Sequence, residues 1–418
     1  MLWKSVFKKS HLGLIRSVDL VPILESSVLN ILRTARLGSL DAPAMRVSPR
    51  AVEPTDCHVN AARKVYGLLG LPVDAIDFET LIAAMDMAAA KREPFLISTL
   101  NVNFLIKSQE NVSFRDSVLS SDLCLVDGMP LIWMAKFLRV PIWERVAGSD
   151  LFGRLKARTD IRLRVFLFGG TGDLAARVGE KLNAEKGGLE CVGVLNPGFG
   201  SVEKLSSSEI IDQINASDAD LLAVFLNAEK AQAWLLHNHH RLTVPIRAQF
   251  GATVNFEAGT IRRAPPLLRS TGFEWLWRIK EEPYLWRRYW NDGRSLLQIF
   301  LTSVLPIAIA ARLNPGRSEF AIRQNHSSGG YVLALSGAAV GESVDRLLPF
   351  ANEAEKEHRA VTIDLSDLDD ADGRFFGLLL GLRTRLAKRG LDLHLAGISP
   401  RMRRIFRLNR FEFLLTGR

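Results

Sequence analysis

Four stretches of strand length, 94–99 (PFLIST), 122–127 (DLCLVD), 163–169 (LRVFLFG) and 221–227 (LLAVFLN), are apolar almost throughout and end in a polar residue or a glycine. A strand with one wet face alternates polar and apolar residues, whereas a run without alternation is buried on both faces. Helical patterns follow these runs, for instance at 130–138 and 173–185. Strands joined by helical crossovers pair in parallel, which constrains the chain to an α/β fold: a Rossmann-like, mostly parallel sheet with flanking helices. Sheets of this kind bind ligands just outside the carboxyl ends of their strands. Function is therefore to be sought around Thr99, Asp127, Gly169 and Asn227.

The 418 residues suffice for two domains. Residues 1–55 read as a basic N-terminal arm of no legible role. The sheet core occupies 56–260, and a basic, Trp-rich appendage spans 261–312. After the turn-rich LNPGRS (313–318), a small C-terminal α/β domain at 319–418 is expected. It begins with a hairpin around 325–330 and a strand at 331–337. A charged helix near 342–358, a strand at 360–365, a helix near 373–389, a strand at 391–397 and a helix from Pro400 follow.

A net charge of +9 favours anionic partners, whether nucleic acid, acidic lipid or sugar nucleotide, without choosing among them. Within 262–290, Trp275, Trp277, Trp286 and Trp290 are interleaved with Arg262, Arg263, Arg269, Arg278, Arg287 and Arg288. Half-wet indole rings and phosphate-gripping guanidinium forks suit a lipid headgroup interface; a solvated basic helix packed on a core is the alternative. Nucleic acid is disfavoured, because no recognised nucleic-acid module is present. The apolar tract 296–313 is interrupted by Gln298, Thr302, Ser303 and Pro306 and falls short of the roughly 20 residues that span a bilayer. It reads as an interfacial or a buried helix. Three distant cysteines form no disulfide framework or metal pair, which fits a reducing cytoplasm, and no signal peptide is expected.

Asp127-Gly128 ends an apolar run and opens a helix, where a carboxylate can take a hydroxyl proton or merely cap the helix. Thr99 and Asn101 add a hydroxyl and an amide to the same rim. Gly169-Gly170-Thr171-Gly172 is either a phosphate cradle or a plain tight turn, and it matches neither GxGxxG nor GxxxxGK[ST]. His237, His239 and His240 lack a completing Cys or carboxylate, so no metal site is expected. Asp218-Ala219-Asp220 precedes its strand instead of ending it and reads as a solvated loop. Without a metal, a departing nucleotide diphosphate would need arginines, which 262–290 supplies.

Residues 58–292 resemble the WecG/TagA/CpsF glycosyltransferases (family 26). The matching stretches are Thr99-Leu100-Asn101, SSDLCLVDG (120–128), ERVAGSDLF (144–152), FLFGGTG (166–172), FGATVNFEAGTIRRAP (250–265), GFEWLWRIKEEP (272–283) and RRY (287–289). The resemblance implies an inverting, metal-independent, cofactor-free transferase. It would move an N-acetylmannosamine-type or related hexose from a UDP-sugar to a polyprenyl-diphosphate-linked acceptor in surface polysaccharide assembly. Asp127 would be the base, with Thr99 and Asn101 beside it. Substrate contacts would come from Gly128, Gly148, Asp150, Gly169, Gly170, Lys230, Gln232, Arg263, Arg278, Arg287 and Arg288. The enzyme would sit peripherally on the cytoplasmic face of a bacterial inner membrane.

This chain departs from the family pattern G-x-P-[KR]-Q-E-x-W, which here reads Asn227-Ala228-Glu229-Lys230-Ala231-Gln232-Ala233-Trp234. Leu285 also stands where an appendage arginine is usual. Residues 319–418 resemble a STAS domain, the anti-sigma-factor-antagonist type, through VTIDLSDLDDADG (361–373) and LDLHLAGISPRMRRIF (391–406). Where such antagonists carry a phosphorylatable D-S-[ST]-G, this chain has Asp370-Ala371-Asp372-Gly373. Asp372 would hold a fixed negative charge at a helix start, which implies a constitutive module for docking a protein partner. The competing expectation is a catalytically impaired relative acting as a regulatory scaffold through that domain.

Overall fold

The computed structural model describes residues 64–313, 318–327 and 330–416; the N-terminal arm read at 1–55 lies outside them. The described chain opens on an antiparallel hairpin, β1 (Val65–Leu68) and β2 (Leu71–Asp74), which the sequence reading did not anticipate. Its turn places both Leu69 and Gly70 at positive φ, the two-residue geometry that matches strand twist.

Six strands then form one parallel sheet: β3 (Phe95–Leu100), β4 (Leu123–Val126), β5 (Leu163–Gly169), β6 (Leu189–Leu195), β7 (Leu221–Phe225) and β8 (Ile246–Gln249), in the order β4-β3-β8-β7-β5-β6. The absence of alternation has the expected cause. On β5, Leu163, Val165 and Leu167 enter one core, while Phe166 and Phe168 enter another on the opposite face. Leu221, Ala223 and Phe225 divide from Leu222 and Val224 in the same way on β7. The sheet order reverses direction between β3 and β8, which opens a crevice at their carboxyl ends.

Beyond the sheet, short helices at Pro266–Ser270 and Glu274–Glu281 lead into a continuous helical run, Pro283–Leu313. This run is longer than the apolar tract suggested, and by length and composition it could cross a membrane. The polar residues that seemed to interrupt it are satisfied. Thr302 Oγ1 donates to the Gln298 carbonyl at 2.8 Å, and Ser303 Oγ accepts from Arg410 at 2.9 Å. A π turn at Phe300–Val304 precedes Pro306, where a proline ring would otherwise strike the preceding turn. Nor is the run a buried helix: Leu297, Leu301, Ile309 and Leu313 are exposed.

The C-terminal sheet has the order β12-β11-β10-β9, built from β9 (Ala321–Ser327), β10 (Gly330–Ala339), β11 (Val361–Ala371) and β12 (Leu393–Ala396). β9 and β10 form the expected hairpin, and the other pairs are parallel. β11 is longer than the segment read at 360–365, because bulges in its pairing with β10 carry it on to Ala371. Helix Gly373–Ala387 follows, and it lies against the β1–β2 hairpin. A Cβ on Gly377 would sit 2.1 Å from the Val65 carbonyl oxygen, so only glycine allows this approach. The buried Arg374 donates to that same oxygen at 2.8 Å and pairs with Asp345. Lys388 reaches Asp122 of the core at 3.3 Å.

The Asp372 carboxylate caps this helix through the N–H groups of Arg374 (2.9 Å) and Phe375 (3.3 Å) and also accepts from Gly341 at 2.7 Å. The start of this helix is thus engaged by the chain's own N–H groups, and its Gly377 face by the hairpin.

Candidate active site

Helices beginning at Val102, Met129, Gly148, Leu174, Ala228 and Thr253 all start at the carboxyl edge of the six-stranded sheet, so their positive dipole ends gather at one crevice. Asn101 and Asn227 cap two of them through their side-chain oxygens. The crevice is a cleft of about 1340 Å³, larger than a single drug-sized ligand requires. Thr99, Asn101, Asp127, Gly128, Gly148, Gly170, Arg278 and Arg288 all line it. The acid that ends β4 and two arginines of the appendage thus share one cavity.

Asp127 is mostly withdrawn from water, with its side chain 29% exposed, and its nearest cation is Arg145, 3.8 Å from Oδ1. Desolvation in the cleft wall pushes its carboxyl up to about 7; Arg145 opposes the rise, while the negative charges of Glu274 and Asp150 add to it. A group titrating there can hold or release a proton at neutral pH. Arg145 is the centre of a charged lattice. It reaches Asp150 at 2.8 Å and Glu274 of the appendage at 3.1 Å. Asp150 also accepts from Arg269 at 3.1 Å and from Arg263, whose second partner is Ser149 Oγ at 2.8 Å.

Several expected substrate ligands are elsewhere. Asp150 and Arg263 are spent on each other, and neither lines the cleft; they fasten the appendage to the sheet. Gln232 is fully buried behind the sheet, donating to Ser98 Oγ at 2.7 Å. Lys230 turns outward to the Gly200 carbonyl at 2.8 Å. Trp234 stacks on Phe168 with centroids 4.4 Å apart. Lys230 and Trp234, the two matches kept in the altered 227–234 loop, are thus framework residues, whereas the changed Asn227 and Glu229 do line the cleft. Arg287 lies over the Trp286 ring, 5.4 Å from its centroid, outside the lining. Gly169 has φ +94 and stops one residue short of the lining, which Gly170 and Thr171 join.

Asp218 and Asp220 are not simply solvated. Asp218 pairs with Arg164 and Arg92, and Asp220 with Arg92, bracing the opposite edge of the sheet. His239 contacts the buried Arg247, and among the described residues no three His, Cys, Asp or Glu side chains assemble a metal-holding group.

Sequence reasoning passed over Arg145, Gln249 and Glu274, all of which line the cleft together with Arg269 of the basic segment. Gln249 Oε1 is buried without a partner there. Arg145 and Glu274 lie within the stretches 144–152 and 272–283, where the only available signal was a charged residue inside a motif.

These features place a charged, ligand-sized cleft at the strand ends of a doubly wound sheet. Residues 66–307 match the profile of the glycosyl transferase WecG/TagA/CpsF family, and the chain belongs to that family. Residues 322–416 match the Mlab, STAS domain. Among curated relatives, an N-acetylglucosaminyldiphosphoundecaprenol N-acetyl-beta-D-mannosaminyltransferase of Bacillus spizizenii is 26% identical over 193 residues, covering 46% of this chain and 73% of the relative. A protein of the same description from Bacillus subtilis is 23% identical over 205 residues, covering 49% and 78%. The chain is thus a glycosyltransferase carrying a C-terminal STAS domain.

Proposed function

We propose that this glycosyltransferase moves an N-acetylmannosamine-type or related hexose from a UDP-sugar to a hydroxyl of a polyprenyl-diphosphate-linked sugar, with inversion and without a metal. One observation carries the reading: Asp127 and the appendage residues Arg278 and Arg288 line the same cleft. Asp127 takes the acceptor hydroxyl proton as that oxygen bonds to the anomeric carbon. The bond from that carbon to the diphosphate breaks, and UDP departs with the electron pair. Arg278 and Arg288, which pair with Glu282 and Asp292 at i, i+4, exchange those partners for the diphosphate, aided by the helix N-termini. Thr99 and Asn101 orient the acceptor. The names of the relatives support the lipid-linked acceptor.

The appendage docks peripherally on the cytoplasmic face of the inner membrane. Trp286, Trp290 and Leu297, which also line the mouth of the cleft, are exposed together with Leu301 along one stripe of the long helix, a pattern suited to a headgroup boundary. Replacing both Arg278 and Arg288 by Ala tests the reading by radiolabel transfer from UDP-sugars to a polyprenyl-diphosphate acceptor in vesicles. A loss of roughly 100-fold or more in kcat is expected; wild-type turnover would overturn it.

A further inference from the structure

The last helix of the STAS domain, Pro400–Leu408, carries a strongly basic outer surface for which the transfer reaction has no use. Met402, Phe406 and Asn409 are buried and define its inner face. Arg401, Arg403, Arg404 and Arg407 are exposed, and among the described residues none of the four makes an ion pair. Four cations on about two turns, with one acid (Glu412) soon after, repel one another unless an anionic surface meets them.

The position of this helix identifies that surface. It packs against Phe300–Val304 and Leu305–Leu313, the distal part of the exposed apolar helix. Just past its end, Arg410 donates to Ser303 Oγ at 2.9 Å and to Thr302 Oγ1 at 3.1 Å. Arg403 and Arg407 lie one turn apart on the exposed side of the helix that leads into Arg410, whose backbone leaves the helix at φ +64. Leu301, Ile309 and Leu313 are exposed on that helix. An apolar stripe bordered by an arginine row is the arrangement that inserts side chains below lipid headgroups while holding their phosphates.

We propose that the STAS domain is the second half of the membrane-docking surface, with Arg403 and Arg407, flanked by Arg401 and Arg404, binding the phosphates of an anionic phospholipid leaflet. The inference rests on the peripheral-membrane reading above and extends it to a domain otherwise read as a protein-docking module. The occupant is lipid because the cations continue an apolar stripe, which nucleic acid and soluble anions would leave uncovered.

Cosedimentation of the full chain tests it. Vesicles of phosphatidylcholine alone are compared with vesicles holding about three parts in ten phosphatidylglycerol, a composition on which each basic side chain contributes about 1 kcal/mol, or roughly fivefold in affinity. Wild type should prefer the anionic vesicles. The double substitution Arg403→Glu with Arg407→Glu should lower affinity for them at least tenfold, leave the weaker binding to neutral vesicles unchanged, and keep the wild-type Tm. Arg403→Gln with Arg407→Gln should fall between. Equal binding of wild type and the Glu variant to anionic vesicles overturns the inference while sparing the membrane reading. Failure of wild type to bind either vesicle sinks both. Tight binding of a random oligonucleotide, lost in the same variant, would assign the arginines to nucleic acid and overturn the proposal.

Discussion

Replacing Asp127 by Asn keeps the shape of the carboxyl and removes its charge, so one variant probes both the chemistry and the electrostatics of the cleft. The carboxyl is pushed from its ordinary 3.8 up to about 7, chiefly by desolvation. A raised carboxyl favours the protonated form of the folded state. The stability it permits is complete below pH 4 and is lost as pH rises toward and through about 7. Carrying the charge in the folded protein above pH 7 then costs at most about 4 kcal/mol, and partial exposure to the cleft reduces this to roughly 1–3 kcal/mol. Thermal unfolding at pH 8.5 should find Asp127→Asn more stable than wild type by a few degrees, with the advantage mostly gone near pH 4.5. In the same preparation, transfer should fall by about 100- to 10,000-fold, the worth of a general base. Equal melting curves at both pH values would refute the buried-charge argument, and near-normal turnover would refute the role in catalysis.

Two further predictions follow from the same lattice and from the domain contact. Because Glu274 raises the Asp127 carboxyl and Arg145 lowers it, Glu274→Gln should move the acidic limb of the kcat/KM profile to lower pH and Arg145→Gln should move it to higher pH. Shifts of the same sign would exclude direct electrostatic control. Gly377→Val drives a side chain into the Val65 carbonyl and should lower the Tm by several degrees, an overpacking cost of roughly 1–3 kcal/mol; an unchanged Tm would mean that the STAS helix is not seated on the hairpin.

Much of the sheet was legible because strands such as 163–169 and 221–227 are buried on both faces and announce it with unbroken apolar runs. β8 was missed because its four residues include Arg247, a buried cation held by the carbonyls of Val244, His239 and Leu242, which breaks the apolar signal. The β1–β2 hairpin was missed because four-residue strands carry little pattern, and because its outer face is apolar toward a domain more than 300 residues away in sequence. Asp127, Thr99 and Asn101 line the cleft, in keeping with the rule that ligands gather at strand ends. That Asp150, Arg263, Lys230 and Gln232 lie off the cleft lining has another cause. A motif records which residues recur together, and both a ligand and a brace satisfy that record; only coordinates separate an arginine facing the cleft from one locked on a carboxylate.

That distinction bears on how the cleft is assembled. The appendage reaches the sheet through Arg263 and Arg269 on Asp150 and through Glu274 on Arg145, and Arg145 is also the cation nearest Asp127. The same contacts that hold the appendage down therefore set the electrostatics of the base. Glu274 keeps Arg145 from neutralising Asp127 fully and adds its own charge to the rise. If the appendage lifts, Glu274 takes its charge away and the burial that chiefly raises the Asp127 carboxyl is relieved, so the carboxyl falls back toward its ordinary range, a weaker base at neutral pH.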